Sequence, residues 1–335
     1  MSSEEPSWVK SLSQKIGMEE MVLRVVLGIV IANVASFAYN VSWLKRSSFK
    51  MQNLYFIGIG IFISYWTFGM NCVGHHLSCI LVNFIVLKMF GASLYSVSFL
   101  FVFQLGYLCV GYLMYNMTAE YAVNWTLPHC VLCLKLIGLA MDVWDGSKNL
   151  SDNEEYLDAL KQVPSLLEMM GYAFFPPTYL VGTPHSMNKY QNFIRRNASG
   201  GLMIGSKTYA LQRLLLAAIY MGIHIILNNT VSTDYIKSEE FQVLPFWKMS
   251  CYLVMWIKGY NSKYVSIILL AEVGSILTGI SYLGTKSVGT IDWSGGGRIN
   301  IQLFETCTSF RRLGTSWNTE TNSWLKLTYS NGVSF

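Results

Sequence analysis

The stretch Trp125-Thr-Leu-Pro-His-Cys-Val-Leu-Cys-Leu-Lys-Leu-Ile-Gly-Leu-Ala-Met-Asp-Val-Trp-Asp-Gly146 is apolar for most of its length. It also carries His129, Lys135 and Asp142, ionisable side chains that are costly at membrane depth unless they face other helices or water. It lacks the alternating pattern of a barrel strand, and a backbone in lipid must pair within its own segment or barrel. The stretch therefore predicts a membrane-embedded helix that faces the protein interior or a water-filled cavity.

The composition of the whole chain agrees with a membrane protein. Of its 335 residues, 52% are hydrophobic and only 13% are charged, whereas soluble domains carry about 25% charged residues. The net charge is +5, and no basic stripe with interleaved aromatic residues accompanies it. These features argue against a partner that is a nucleic acid.

The apolar stretches predict an all-α, polytopic integral membrane protein with about eight or nine membrane-embedded helices, several of them broken or re-entrant. Residues 1–20 form a polar N-terminal segment before the first of these helices. The segment at 166–182 is interrupted by Pro176-Pro177. The embedded segments lie near residues 21–43, 53–70, 76–90, 94–115, 125–143, 166–182, 208–228, 243–260 and 264–284.

No metal site is expected. Cys130 and Cys133 have CxxC spacing, but a second pair that would complete a ligand set is absent. Two small buried apolar residues are the favoured interpretation, with a metal or redox role as the alternative.

Several strings in order resemble the membrane-bound O-acyltransferase superfamily, and within it the lysophosphatidylcholine acyltransferase branch. The likeness runs from about residue 70 to Tyr329. It implies one membrane domain over residues 21–329, incomplete at its C-terminal end, followed by an unrelated tail at 330–335. The strings that carry the resemblance are 125–146, 164–172, 174–182, 186–190, 276–279, 304–306 and 316–326.

The last of these strings, Ser316-Trp-Asn-Thr-Glu-Thr-Asn-Ser-Trp-Leu-Lys326, places Asn318 at the family's catalytic asparagine. In the family, this amide and a later histidine share acyl transfer. An imidazole suits removal of the hydroxyl proton, and an amide donor can stabilise the carbonyl oxygen. A helix-capping role is the alternative for Asn318.

The partner histidine is absent from the sequence after Asn318. We therefore expect an apparently truncated family member that is catalytically impaired. A non-catalytic member that binds lipid, acyl-CoA or a full-length partner is the alternative. The five histidines, all of which precede Asn318, are His75, His76, His129, His185 and His224.

Four further residues are candidates for substrate binding. Trp317, Thr321 and Trp324 surround Asn318 in the family string. For the two tryptophans, packing or anchoring at the membrane interface is an equal alternative. His129 is a candidate for the wall of a substrate cavity, and the alternative is a histidine hydrogen-bonded to a neighbouring helix.

The resemblance implies transfer of a fatty acyl group from acyl-CoA to the free hydroxyl of a lysophospholipid, in phospholipid remodelling. Acyl-CoA is then a co-substrate, no cofactor is expected, and the endoplasmic reticulum is the expected membrane. Membrane lipids are further partners, and self-association is open. A transporter is the remaining alternative, but the paired half-helix breaks typical of that class are absent.

Overall fold

The computed structural model describes residues 8–16, 18–116, 123–148, 158–182, 185–198, 205–285, 291–297, 299–317, 319 and 322. This part of the chain is built almost entirely from helices, with one two-stranded antiparallel ribbon, β1–β2. The long helices are α2 (Glu20–Val41), α3 (Phe49–Phe68), α4 (Met70–Phe90), α5 (Leu94–Asn116), α6 (Thr126–Asp145), α9 (Ser206–Thr230) and α12 (Phe246–Thr278).

The remaining elements are short. The shorter helices are α1 (Trp8–Ile16), α7 (Leu166–Ala173), α8 (Met187–Ala198), α10 (Thr233–Lys237), α11 (Glu239–Gln242), α13 (Ile301–Thr306) and α14 (Phe310–Ser316). The two strands are β1 (Gly284–Thr285) and β2 (Ile291–Asp292). Single 3₁₀ turns cover Trp43–Arg46, Pro176–Thr178 and Ser294–Gly296.

Five of the described helices, α2, α4, α5, α6 and α9, are long and apolar enough to cross a membrane. This confirms the all-α, polytopic membrane architecture. Helix α3 occupies another predicted segment, but Gln52 and Asn53 in its first turns lower its hydropathy and are buried against protein.

Two predicted segments, 243–260 and 264–284, form the single helix α12 in the structure. The polar residues 261–263 lower the hydropathy between them, but they include neither proline nor glycine, so nothing there ends a helix. Helix α12 ends only at Gly279, whose φ of +95° is the left-handed cap that glycine adopts without strain.

The predicted break in 166–182 is confirmed. A capping box between Ser165 and Glu168 starts α7. The helix ends at Ala173, three residues before Pro176, and a buried 3₁₀ turn follows. Because a proline nitrogen has no hydrogen to donate, the α-helix cannot continue through this position.

The helices pack in two groups. Most buried side chains of α2 to α8 form one continuous core, within which Tyr39, Phe56 and Tyr190 are fully buried. Helix α12 runs along both α2 and α9. Its C-terminal half builds two smaller cores with α9, and the second of these also includes residues of α13. The predicted tail at 330–335 lies outside the described residues, while α1 shows that part of the polar N-terminal segment is helical.

Candidate functional site

A cavity of about 420 Å³ lies beside the segment that leads to Asn318. Thr319, the next residue, is on its wall and donates a hydrogen bond from Oγ1 to the carbonyl oxygen of Gly297 at 2.7 Å. The residue that directly follows Asn318 in the sequence is therefore anchored at this cavity. The other described lining residues are Arg213, Ser294, Ile299, Asn300, Ile301 and Gln302.

Arg213 supplies a positive charge at the cavity wall. Its Nη2 donates to the hydroxyl of Tyr209 at 2.7 Å, and its Nε lies 3.6 Å from Oε2 of Glu272. The Glu272 side chain is only 3% exposed. A guanidinium fixed in this way binds planar or tetrahedral oxyanions such as phosphate well.

The segment from Ser294 to Gln302 supplies most of the other described residues of the cavity wall, and contacts from several elements hold it. Asn300 starts α13 by accepting a hydrogen bond on Oδ1 from the amide of Leu303 at 3.0 Å. The amide of Asn300 donates to the carbonyl of Ser316 at 3.0 Å, which ties the start of α13 to the end of α14. Lys189 on α8 donates to the carbonyl of Gly295 in the 3₁₀ turn. These bonds hold residues 294–297 and 299–302 at the wall of the cavity that Arg213 also lines.

Trp317 packs into the protein and is not among the residues that line this cavity. Its ring lies 5.5 Å from that of Phe304, and both contact the small core of α9, α12 and α13. Asn322 continues the same attachment by donating from Nδ2 to the carbonyl of Trp317 at 3.0 Å. The packing alternative therefore describes the observed position of Trp317.

The other candidates in this string, Asn318, Thr321 and Trp324, lie outside the described residues. Their chemical roles stay predictions from the family resemblance. Of their described neighbours, Thr319 lies on the cavity wall, and Asn322 donates to the carbonyls of Gly314 and Trp317.

His129 lies elsewhere, fully buried on α6 in the large core. Its ring is 5.3 Å from those of His76 and Trp125, and its Nε2 lies 3.9 Å from Sγ of Cys79. Its Nδ1 has no hydrogen-bond partner within the described part of the chain. The structure thus does not bring His129 into contact with Trp317 or with the cavity beside Arg213.

None of the described residues that line the 420 Å³ cavity is a histidine. His76 interacts through Nδ1 with the hydroxyl of Tyr179 at 2.8 Å, within the large core. His224 on α9 interacts through Nδ1 with the carbonyl of Gly259 on α12 at 3.0 Å. Over the described ranges, no group of three or more His, Cys, Asp or Glu side chains is arranged to hold a metal ion.

Arg213 and Glu272 are site residues that sequence reasoning missed. Arg213 is the only charged residue in the apolar segment 208–228, and Glu272 is the only one in 264–284. One charge of each sign in two apolar segments is a signal of pairing, because an isolated charge at membrane depth is costly.

The chain is similar in sequence to known membrane acyltransferases. The model of the membrane-bound O-acyltransferase family, MBOAT, matches residues 110–327. Lysophospholipid acyltransferase 5 of Rattus norvegicus is 33% identical over 321 residues, which cover 95% of this chain and 65% of that protein. The Homo sapiens protein of the same name is 34% identical, with the same coverage.

A more distant relative is membrane-bound glycerophospholipid O-acyltransferase 2 of Mus musculus, 25% identical over 304 residues, which cover 84% of this chain and 58% of that protein. The chain spans about two thirds of the length of the curated relatives that it matches. The family match covers more than half of the chain and includes the cavity and the string around Asn318. The chain therefore belongs to the membrane-bound O-acyltransferase family.

Proposed function

We propose that this protein transfers a fatty acyl group from acyl-CoA to the free hydroxyl of a lysophospholipid of the lysophosphatidylcholine type, in the endoplasmic reticulum membrane. The observation that carries the proposal is the likeness to proteins named lysophospholipid acyltransferase 5 over 95% of this chain. The five apolar helices are consistent with substrates that reside in a membrane.

The reaction forms an ester bond and breaks a thioester bond. The lysophospholipid oxygen attacks the thioester carbonyl, the carbon–sulfur bond breaks, and the hydroxyl proton passes through a base to the released CoA thiol. In this proposal, Asn318 donates a hydrogen bond to the carbonyl oxygen as negative charge develops there. Acyl-CoA is the co-substrate, and no further cofactor takes part.

We place the phosphate of one substrate at Arg213. The guanidinium lies on the cavity wall and is held by Tyr209 and Glu272, so it is oriented before a ligand binds. Preorganisation of this kind lowers the entropic cost of binding. The hydrogen bond from Thr319 to Gly297 keeps the string of Asn318 beside the same cavity.

A second candidate function is binding of acyl-CoA, lysolipid or another acyltransferase chain without turnover. One observation favours it: among the described residues that line the cavity, none is a histidine. Since a positioned base contributes on the order of 10²–10⁴-fold, a cavity without such a base is expected to bind substrates and to turn them over weakly or not at all.

An experiment with the purified chain in detergent distinguishes between the two proposed functions. Labelled oleoyl-CoA and lysophosphatidylcholine are supplied, and both labelled phosphatidylcholine and bound oleoyl-CoA are measured. A chimera adds, after residue 329, the C-terminal part of the rat relative, in which the family resemblance places the later histidine. The variant Asn318→Ala is compared with Asn192→Ala, an exposed asparagine on α8.

Product from the chain or the chimera that is lost in Asn318→Ala and kept in Asn192→Ala supports the enzyme. Binding without product in both proteins supports the non-catalytic function. Product that survives Asn318→Ala contradicts the role of Asn318, and absence of both binding and product contradicts both functions.

A further inference from the structure

A second, smaller cavity of about 90 Å³ lies between the end of α9, the start of α10 and the middle of α12. It shares no lining residue with the cavity beside Arg213. No part of the proposed acyl transfer uses it. Six polar or aromatic residues at this site matter for its chemistry, namely His224, Asn228, Thr233, Trp256, Tyr260 and Lys263.

Lys263 gives this small cavity a positive charge and forms no ion pair with a carboxylate of the described residues. Its ammonium lies 5.2 Å from the ring centroids of both Tyr260 and Tyr264. Among the residues the structure describes, no Asp or Glu oxygen lies within 4.0 Å of it. By contrast Lys258, five residues earlier on α12, forms an ion pair with Glu305.

The neutral polar groups of the small cavity add hydrogen-bond donors. Thr233 accepts a hydrogen bond on Oγ1 from Nε1 of Trp256 at 3.2 Å, so its hydroxyl hydrogen is available to a ligand. His224 Nδ1 donates its hydrogen to the Gly259 carbonyl at 3.0 Å, so this hydrogen is not available to a ligand. None of the described lining residues is acidic. The site is therefore complementary to an anion.

Size and surroundings narrow the class of anion. A volume of 90 Å³ has room for a few water-sized groups, which suits a phosphate or carboxylate group. The neighbouring faces of α9 and α12 expose Ile225, Ile226 and Val254, each more than half accessible. Because α9 is long and apolar enough to cross a membrane, we expect its exposed Ile225 and Ile226 to face lipid. Trp and Tyr beside a cation are typical of the headgroup level.

We propose that the small cavity binds the phosphate group of a membrane phospholipid, with Lys263 as the charged donor and Thr233 as a neutral donor. The acyl chains of that lipid then lie along the exposed isoleucines of α9. This lipid is separate from the substrates of acyl transfer, because it occupies a different cavity.

The test uses the full 335-residue chain in detergent, titrated with 1-palmitoyl-2-oleoyl-phosphatidylglycerol and followed by native mass spectrometry. Lys263→Gln is compared with Lys248→Gln, an exposed lysine at the start of α12 that lies outside the cavity. Loss of one charged hydrogen bond predicts a roughly tenfold or greater loss of affinity in Lys263→Gln. Thr233→Val is expected to weaken the same lipid adduct by a smaller factor, and Lys263→Arg to keep it.

Selective loss of one lipid adduct in Lys263→Gln, with Lys248→Gln unchanged, supports the site. Equal effects of the two lysine variants, or no effect of either, overturn it. A parallel titration with inorganic phosphate distinguishes the sources. Binding of phosphate that depends on Lys263, without binding of the lipid, overturns the assignment to a phospholipid and leaves a free-phosphate site. Because the readout is binding, failure of acyl transfer does not affect the result.

Discussion

Arg213 on α9 and Glu272 on α12 lie 3.6 Å apart across the interface between two helices, fifty-nine positions apart in the chain. The carboxylate is almost completely buried, while the guanidinium reaches the 420 Å³ cavity. The pair therefore has two separable roles, since it joins the helices and presents a positive charge to the cavity.

Removing only the cation is expected to destabilise the protein. Arg213→Met leaves the buried Glu272 carboxylate without its cation, at a cost of about 3–5 kcal/mol. The double variant Arg213→Met with Glu272→Leu is expected to recover most of this stability, because an apolar pair removes the unpaired charge. Thermal unfolding in detergent measures both effects.

The double variant also tests the binding role of Arg213. It is expected to be nearly as stable as the unmodified chain. It should nevertheless bind acyl-CoA or lysophosphatidylcholine more weakly than the unmodified chain does. A double variant that is as unstable as Arg213→Met would show that the ion pair does not determine the stability of this interface.

Attachment of α13 is expected to depend on pH. Burial alone raises the pKa of the Glu305 carboxyl, but hydrogen bonds from Lys258 and Tyr220 and the ammonium charge outweigh it, so the pKa lies below its usual range. Because the pKa of Glu305 is lower in the folded protein than in the unfolded chain, this carboxylate stabilises the fold fully above the pKa of the unfolded chain, about 4.3. This stabilisation is lost as the pH falls through the lower folded pKa.

The effect is expected to be small, about 1 kcal/mol or less, because both side chains are about a third exposed. Amide hydrogen exchange of residues 301–306, followed from pH 7 into the acid range, measures it. Glu305→Gln should remove the pH dependence, and Glu239→Gln on the exposed α11 should leave it unchanged.

Helix α3 approaches the end of α7 so closely that a methyl group does not fit between them. A Cβ atom at Gly60 would lie 2.0 Å from the carbonyl oxygen of Phe174, whereas one at Gly58 meets nothing within 4 Å. Gly60→Ala is expected to destabilise the protein by about 1–3 kcal/mol through overpacking. Gly58→Ala should be neutral or stabilising by up to about 1 kcal/mol.

The two glycine variants differ by two positions on one helix, so their comparison removes effects of helix propensity. Thermal unfolding in the same detergent is the measurement. Equal melting temperatures would contradict the close approach of α3 to Phe174.

Lys135 is expected to stabilise the segment in which α7 ends and the 3₁₀ turn Pro176–Thr178 follows. Its ammonium is buried on α6 and donates to Oγ1 of Thr178 at 2.8 Å and to the carbonyl of Tyr172 at 3.2 Å. Lys135→Met keeps most of the volume but leaves these acceptors without the lysine donor, at a cost of about 1–3 kcal/mol.

Lys88→Met, at an exposed position near the end of α4, is the matched control and is expected to change stability by less than about 0.5 kcal/mol. Limited proteolysis across residues 172–182 should become faster in Lys135→Met only. Unchanged proteolysis and stability in that variant would contradict the proposed role of the lysine.

The sequence alone was sufficient for the membrane architecture, the family and the break before Pro176. These follow from local properties, namely the length of apolar runs, the missing proline donor and the order of family strings. It did not show that 243–260 and 264–284 form one helix, because residues 261–263 lower the hydropathy without ending a helix.

The contacts between segments were decided by tertiary packing. Arg213 and Glu272 are each visible as charges in apolar runs, but only the packing of α9 on α12 places them together, with Arg213 on the cavity wall that Thr319 also lines. Tertiary packing also separates two predicted site residues. His129 lies beside Cys79 and His76 in the large core, while Trp317 packs on Phe304 in the small core of α9, α12 and α13. Hydropathy records how readily each segment leaves water, whereas the neighbours of a side chain depend on how the helices fit against one another.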